Sequence, residues 1–188
     1  MSIGIIFVAV IAIVVLIGVL AYNNLIGAKQ RVKEAFSDMD VQMKRRYDLI
    51  PNLVSTVKGS ANFESSTLEK VVQARQQAVN LSSGGNTQEL LEAEKQLSGS
   101  LRQLFALAES YPDLKSNQNF LSLQQELAVT EDKILSSRRF YNGVVGSYNA
   151  MQDQVPTLFF KNLAGAKIEP FFEMENPTEE RKNVKVEF

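Results

Sequence analysis

The chain has 188 residues, with 20 Lys and Arg against 21 Asp and Glu, a formal net charge of −1, and neither Cys nor His. The missing thiols and imidazoles exclude disulfides, thiolate nucleophiles, zinc-finger ligand sets, imidazole bases and the usual side chain that titrates near neutrality. Balanced, dispersed charge gives no basic face of nucleic-acid-binding strength, and no motif asks for a metal or another cofactor.

No charged side chain precedes Lys29, and residues 3–22 are almost entirely Ile, Val, Leu, Ala, Phe and Gly. Twenty helical residues at ~1.5 Å rise make about 30 Å, the thickness of a bilayer's hydrocarbon core. A retained single-pass anchor over residues 1–23 is expected rather than a cleaved signal peptide, because no Lys or Arg precedes the run and its apolar core is long. Lys29, Arg31 and Lys33 follow the span directly. Positive residues stay inside, which places the N-terminus out and the rest in the cytoplasm, with an extracytoplasmic domain as the alternative. Roughly 165 residues remain, room for one domain with a real core.

From Val32 the apolar residues fall at Phe36, Met39, Met43, Tyr47, Ile50, Val54, Val57 and Ala61, in steps of three and four that stay in phase across Pro51. A proline removes one helical hydrogen bond, so a kink or short break is expected at Pro51; a helix boundary is expected between Gly59 and Ser66, with Pro51 as the competing position. The stripe resumes at Leu68, Val71, Val72, Arg75 and Val79, with Ser66 and Glu69 as a capping-box pair. Two glycines within residues 82–86 mark a tight loop, and Asn86 with Glu89 opens a helix whose seam is Leu90, Leu97, Leu101, Leu104, Ala108 and Tyr111. Pro112 ends it. Phe120, Leu123, Leu127, Thr130, Ile134, Tyr141, Val144, Tyr148, Met151 and Val155 form the last seam, up to Pro156.

Three to four such helices joined by short loops specify an all-α, up-and-down antiparallel helical bundle over residues 24–165. With only Asn23 and Asn24 as polar punctuation and no Gly/Pro linker, the bundle is expected to be continuous with the transmembrane helix. Residues 166–188 read as an extended aromatic tail, carrying Phe171, Phe172 and an alternating end at 184–188 that either pairs as an edge strand or docks on the bundle.

The apolar span followed by Asp40-x-Gln42-x-Lys44-Arg45-Arg46-x-Asp48-Leu49-Ile50-Pro51-Asn52-Leu53-Val54 resembles the signature of the LemA family of bacterial membrane proteins. Val57-Lys58-Gly59, Tyr111-Pro112-x-Leu114-Lys115, Asn117-x-x-Phe120-x-x-Leu123-Gln124, Thr130-Glu131, Arg138, Tyr141-Asn142, Tyr148-Asn149 and Phe171-Phe172-Glu173 stand in the family's order. Where the family commonly carries an aromatic and a His near Gly59 to Glu64, this chain has Ser60 and Phe63. The resemblance implies a helical bundle on one N-terminal anchor without an established enzymatic activity, among relatives linked to membrane-compartment formation in magnetosome-bearing bacteria. It transfers no catalytic residue.

Asp40, Gln42, Lys44, Arg45, Arg46, Asp48 and Asn52, around Pro51, are the densest polar cluster beside an apolar seam. One reading is a solvated face with Asp40–Lys44 and Lys44–Asp48 pairs one turn apart. The other turns Arg45 or Arg46 inward to Asp48, Glu131 or Asn142, fixing the bundle register. Residues 44–46 stand roughly 35 Å beyond Leu20 along a helix, too far for headgroups, so Lys29, Arg31 and Lys33 are the lipid contacts, each contributing about 1 kcal/mol at most.

Tyr141-Asn142 and Tyr148-Asn149 recur seven residues apart. They fit either a packed seam or a stripe for self-association or peptide docking. Gly143 and Gly146 between them suggest close backbone approach. Glu92 with Glu94, and Glu131 with Asp132, point to different helix faces and form no local acid/base pair.

The expected function is a non-enzymatic, membrane-anchored scaffold that forms homo-oligomers or organises other membrane proteins of the envelope. The alternative is a tethered binding module for a small ligand, peptide or signalling partner in a cleft ringed by Arg46, Tyr47 and Asn142. An enzyme comes third, since no catalytic motif is present.

Overall fold

A computed structural model of the chain describes residues 2–59, 63–84 and 86–172; the end at 184–188, with the rest of the tail from Glu173 on, lies outside them. The elements are α1 (Ser2–Lys58), α2 (Ser65–Ser82), α3 (Thr87–Ala108), α4 (Pro112–Lys115) and α5 (Gln118–Met151), then a 3₁₀ turn at Thr157–Phe159. No strand occurs among the described residues. The protein is an all-α helical bundle whose first helix contains the whole apolar run.

Helix α1 has 57 residues and passes through Pro51 without a break. Of the two expected boundaries, the one between Gly59 and Ser66 is where α1 gives way to α2. The large side chains from Ile3 to Leu20 are 46–86 % exposed. From Ala21 a seam begins, with Leu25, Ala28, Val32, Ala35, Met39 and Met43 buried in steps of three and four. It starts eleven residues before Val32, where the periodicity placed it. In a run that is apolar on every side, no polar face marks the phase.

The chain groups into two compact units, Met1–Arg46 with Ala128–Phe171, and Tyr47–Leu127 with Phe172. In the first, α5 buries Thr130, Ile134, Tyr141, Val145 and Tyr148, and Phe36 of α1 meets Tyr141 edge-on with ring centroids 5.9 Å apart. Val145 takes the core position assigned to Val144, since it lies four residues from Tyr141 and three from Tyr148. The helix stops at Met151, short of Val155 and Pro156. Buried Thr157 turns its hydroxyl back to the Met151 carbonyl, with the Gln154 carbonyl also 2.8 Å away, satisfying orphan acceptors at the helix end.

In the second unit α2 packs on α3. Thr67, Leu68, Val71, Ala74 and Ala78 are the buried positions of α2, while Val72, expected in the seam, is 46 % exposed. Alanines fill the stripe, and their weak hydropathy hid its phase. The expected capping box also differs: α2 begins at Ser65 after Glu64, and Ser66 donates to the Glu64 carboxylate at 2.6 Å instead of capping the backbone. The loop before α3 uses Gly84 at φ 152°, a conformation open to glycine. Asn86 caps α3 by accepting from Gln88 N at 3.0 Å, and Asn117 caps α5 through Asn119 N and Phe120 N at 2.9 and 3.2 Å. Pro112 does not itself end α3, which stops at Ala108; it opens α4, where a missing N–H costs nothing. Ring pairs Phe63–Tyr111 and Phe105–Phe120, at 4.9 and 6.1 Å, close the edges.

Candidate functional site

Within the polar cluster of α1 the side chains divide by face. Lys44, Arg45, Asp48, Pro51 and Asn52 are exposed, and the Asn52 carbonyl accepts from Thr56 Oγ1 at 2.9 Å. Half-buried Gln42 lines a groove of about 340 Å³ with Val129, Asp132 and Ser136. Half-buried Asp40 has its carboxyl pushed above the ordinary aspartate value by burial, against the lowering effect of Lys44 one turn on.

Arg46 turns inward. It is 2 % exposed, and its Nη1 donates to Glu131 Oε2 on α5. A guanidinium at a core position tolerates desolvation only with a carboxylate held against it. Glu131 is among the acceptors considered from sequence.

The next residue serves the second unit. The Tyr47 hydroxyl donates to Glu94 Oε1, both residues being buried. Pro51 has no N–H to give to the Tyr47 carbonyl one turn back, and Arg75 of α2 supplies the donor through Nε at 2.7 Å. An Arg on an otherwise apolar stripe was the signal for this role. Its acceptor is a backbone carbonyl, invisible to side-chain patterning.

On α5 the Tyr-Asn repeat holds the chain's own segment after the helix. Asn149 donates through Nδ2 to the Glu169 carbonyl at 2.9 Å and accepts from Glu169 N at 3.0 Å, a two-point pairing like that between strands. The Tyr141 hydroxyl donates to the Pro170 carbonyl at 3.1 Å, and Gln152 Nε2 to the Lys167 carbonyl at 3.1 Å. Burial pushes the Tyr141 and Tyr148 hydroxyls above the ordinary tyrosine value. The Lys167 backbone works against this at Tyr148, and the negative charge of Glu169 adds to it at both. Tyr141, Tyr148 and Phe172 are buried, so they do not form the open aromatic stripe considered for self-association; Asn142 is half-buried and Phe171 is 46 % exposed. Close approach at the glycines is by a ring and not a backbone: a Cβ on Gly146 would stand 3.7 Å from Phe171 Cε1, and Gly143 faces open space.

Near the end of the apolar run, half-buried Lys29 donates through Nζ to the Gly165 carbonyl at 3.2 Å, while Arg31 and Lys33 are exposed. Arg31 and Ala28 of α1 line a groove of about 580 Å³ with Arg139, Phe140, Gly143 and Tyr148 of α5. This groove brings two guanidiniums beside apolar walls.

An exposed apolar helix that becomes the core helix of a bundle, with its cations where the apolar run ends, defines a membrane-associated helical protein. One helix among the described residues is long and apolar enough to cross a membrane. The chain belongs to the LemA family, whose match covers residues 35–188. It is 29 % identical over 129 residues to Protein LemA of Metamycoplasma hominis, an alignment that spans 68 % of this chain and 58 % of that protein. It is also similar to magnetosome protein MamQ 2 of Paramagnetospirillum magneticum, at 23 % identity over 88 % of this chain and 70 % of the relative. Magnetosome protein MamQ of Magnetospirillum gryphiswaldense is 24 % identical over 80 % of this chain and 64 % of its own length.

Proposed function

We propose that the protein is a non-enzymatic, membrane-anchored scaffold that assembles with itself or organises other membrane proteins of the envelope. The observation that carries this reading is the continuity of α1, in which the exposed apolar stretch passes at Ala21 into the buried seam without a linker. Residues 1–23 then hold the bundle at the bilayer as a rigid post and not as a leash. Copies held at one height and angle lose less rotational freedom on association, which favours ordered assembly in the plane. Likeness to proteins named for the magnetosome fits a role in organising a membrane compartment. Lys29, Arg31 and Lys33 after the span support a cytoplasmic bundle by the positive-inside bias. Extraction of the full-length protein into native nanodiscs followed by mass measurement tests the assembly. Oligomers or a co-purifying membrane protein are expected, and a strictly monomeric, partner-free particle contradicts the reading.

The groove beside Arg31 and Arg139 supports a second reading, a tethered module that binds an anionic ligand with an apolar body. A saturable rise in melting temperature with such a ligand, lost in Arg139→Ala, would favour it over the scaffold.

A further inference from the structure

The segment that follows α5 is apolar where water would be expected to meet it. Val155, Phe159, Leu163 and Ile168 are 72, 74, 75 and 66 % exposed. Large side chains so exposed, this close together, mark a surface with a partner. Its position on α1 says which. The Phe160 ring covers Gly18 so closely that a Cβ there would lie 2.9 Å from Phe160 Cζ, and the Gly165 carbonyl accepts from Lys29 Nζ at 3.2 Å. Gly18 is four residues inside the apolar run that ends at Tyr22, roughly 6 Å along the helix. The turn therefore reaches from the first cation after the run down to the level of Ile17 and Val19, which are 46 and 51 % exposed. Phe159 and Leu163 stand on that same turn. Lys161, paired with Asp153 at 3.4 Å, and exposed Lys167 lie among them, a pattern of apolar tips and basic flanks suited to the headgroup boundary.

We propose that residues 152–168 are a second membrane contact: a turn that dips into the leaflet beside α1, with Val155, Phe159 and Leu163 among the upper acyl chains and Lys161 and Lys167 at the headgroups. This rests on α1 crossing the bilayer. The turn then sets which face of the first unit is turned to the leaflet. It also widens the footprint of each copy at the membrane surface.

The chain contains no Trp, so one introduced indole reports its own depth. Full-length Phe159→Trp and, separately, Leu163→Trp, both at exposed positions that do not disturb the core, are reconstituted in phosphatidylcholine–phosphatidylglycerol vesicles containing lipids brominated at defined carbons. Val14→Trp reports insertion of α1 and Val41→Trp reports the aqueous region. Both loop indoles are expected to emit to the blue of Val41→Trp and to lose about half their intensity, most to bromines near the headgroup end, as for a group buried about 5–10 Å below the boundary. Quenching of Val14→Trp with neither loop indole quenched overturns the proposal and leaves the anchor standing. Blue emission at the loop without quenching overturns it in favour of a second copy covering the turn. No quenching at any of these positions overturns the loop contact together with the anchor.

Discussion

Arg75 Nε lies 2.7 Å from the Tyr47 carbonyl, the acceptor that Pro51 leaves without its helical donor. A proline in a helix interior ordinarily costs about 3 kcal/mol, partly through that lost bond. Arg75→Leu is therefore expected to lower stability by about 1–3 kcal/mol in urea unfolding. Pro51→Ala restores the N–H, so the same Arg75 substitution costs less in that background. A double-mutant cycle with coupling of at least ~0.5 kcal/mol supports the pairing, and strict additivity contradicts it.

Arg46 and Glu131 form a different kind of link. The guanidinium is 2 % exposed and the carboxylate 39 %, so only one partner is fully desolvated. Glu131→Ala is expected to cost about 2–3 kcal/mol, because it takes a carboxylate from a buried cation. Replacing both residues with Leu should recover most of that loss, since the desolvation cost goes with the charge. A double variant no more stable than Glu131→Ala would refute the argument.

Asn149 makes both hydrogen bonds to the Glu169 backbone, and Tyr141 a third to Pro170. Asn149→Ala is expected to cost about 1–3 kcal/mol, and Tyr141→Phe about 1 kcal/mol. Hydrogen exchange locates the effect: the Glu169 amide should lose protection in Asn149→Ala while amides in α3 keep theirs. Unchanged exchange at Glu169 would contradict the pairing.

Asp40 gives a pH dependence with a definite sign. Burial raises its folded pKa above the unfolded value, so its contribution is fully present below the ordinary aspartate range and is lost as pH rises through the folded pKa. At pH 7 the charged carboxylate is thus a cost. Asp40→Asn is expected to raise the melting temperature there, and the gain should fade below about pH 3.9, where both side chains are neutral. A gain independent of pH, or a loss at pH 7, would refute the assignment.

Much of the bundle was legible because amphipathic helices write their core face into the sequence. Asn86 marked its helix start through local chemistry, and the apolar run marked its own length. The onset of the seam at Ala21 was not legible, since a helix apolar all round shows no phase. The pairings of Arg46 with Glu131 and Arg75 with Tyr47 were legible only as questions: why an Arg stands on a seam, and what replaces the N–H that Pro51 lacks. The partner of Asn149 was hidden because it is the backbone of an extended segment without periodicity. The contact of Phe160 with Gly18 carried no signal in sequence, since it joins a helix to a turn without periodicity.

The central claim is that the membrane anchor and the first bundle helix are one helix. The chain has no Cys, so nitroxides can be placed singly at each position from Val14 to Met43 in reconstituted full-length protein. The account predicts immobilised spectra whose accessibility keeps a period of about 3.6 residues through Asn23 and Gly27, with minima at Ala21, Leu25, Ala28 and Val32. Mobile spectra and loss of that period between Tyr22 and Lys29 would contradict it.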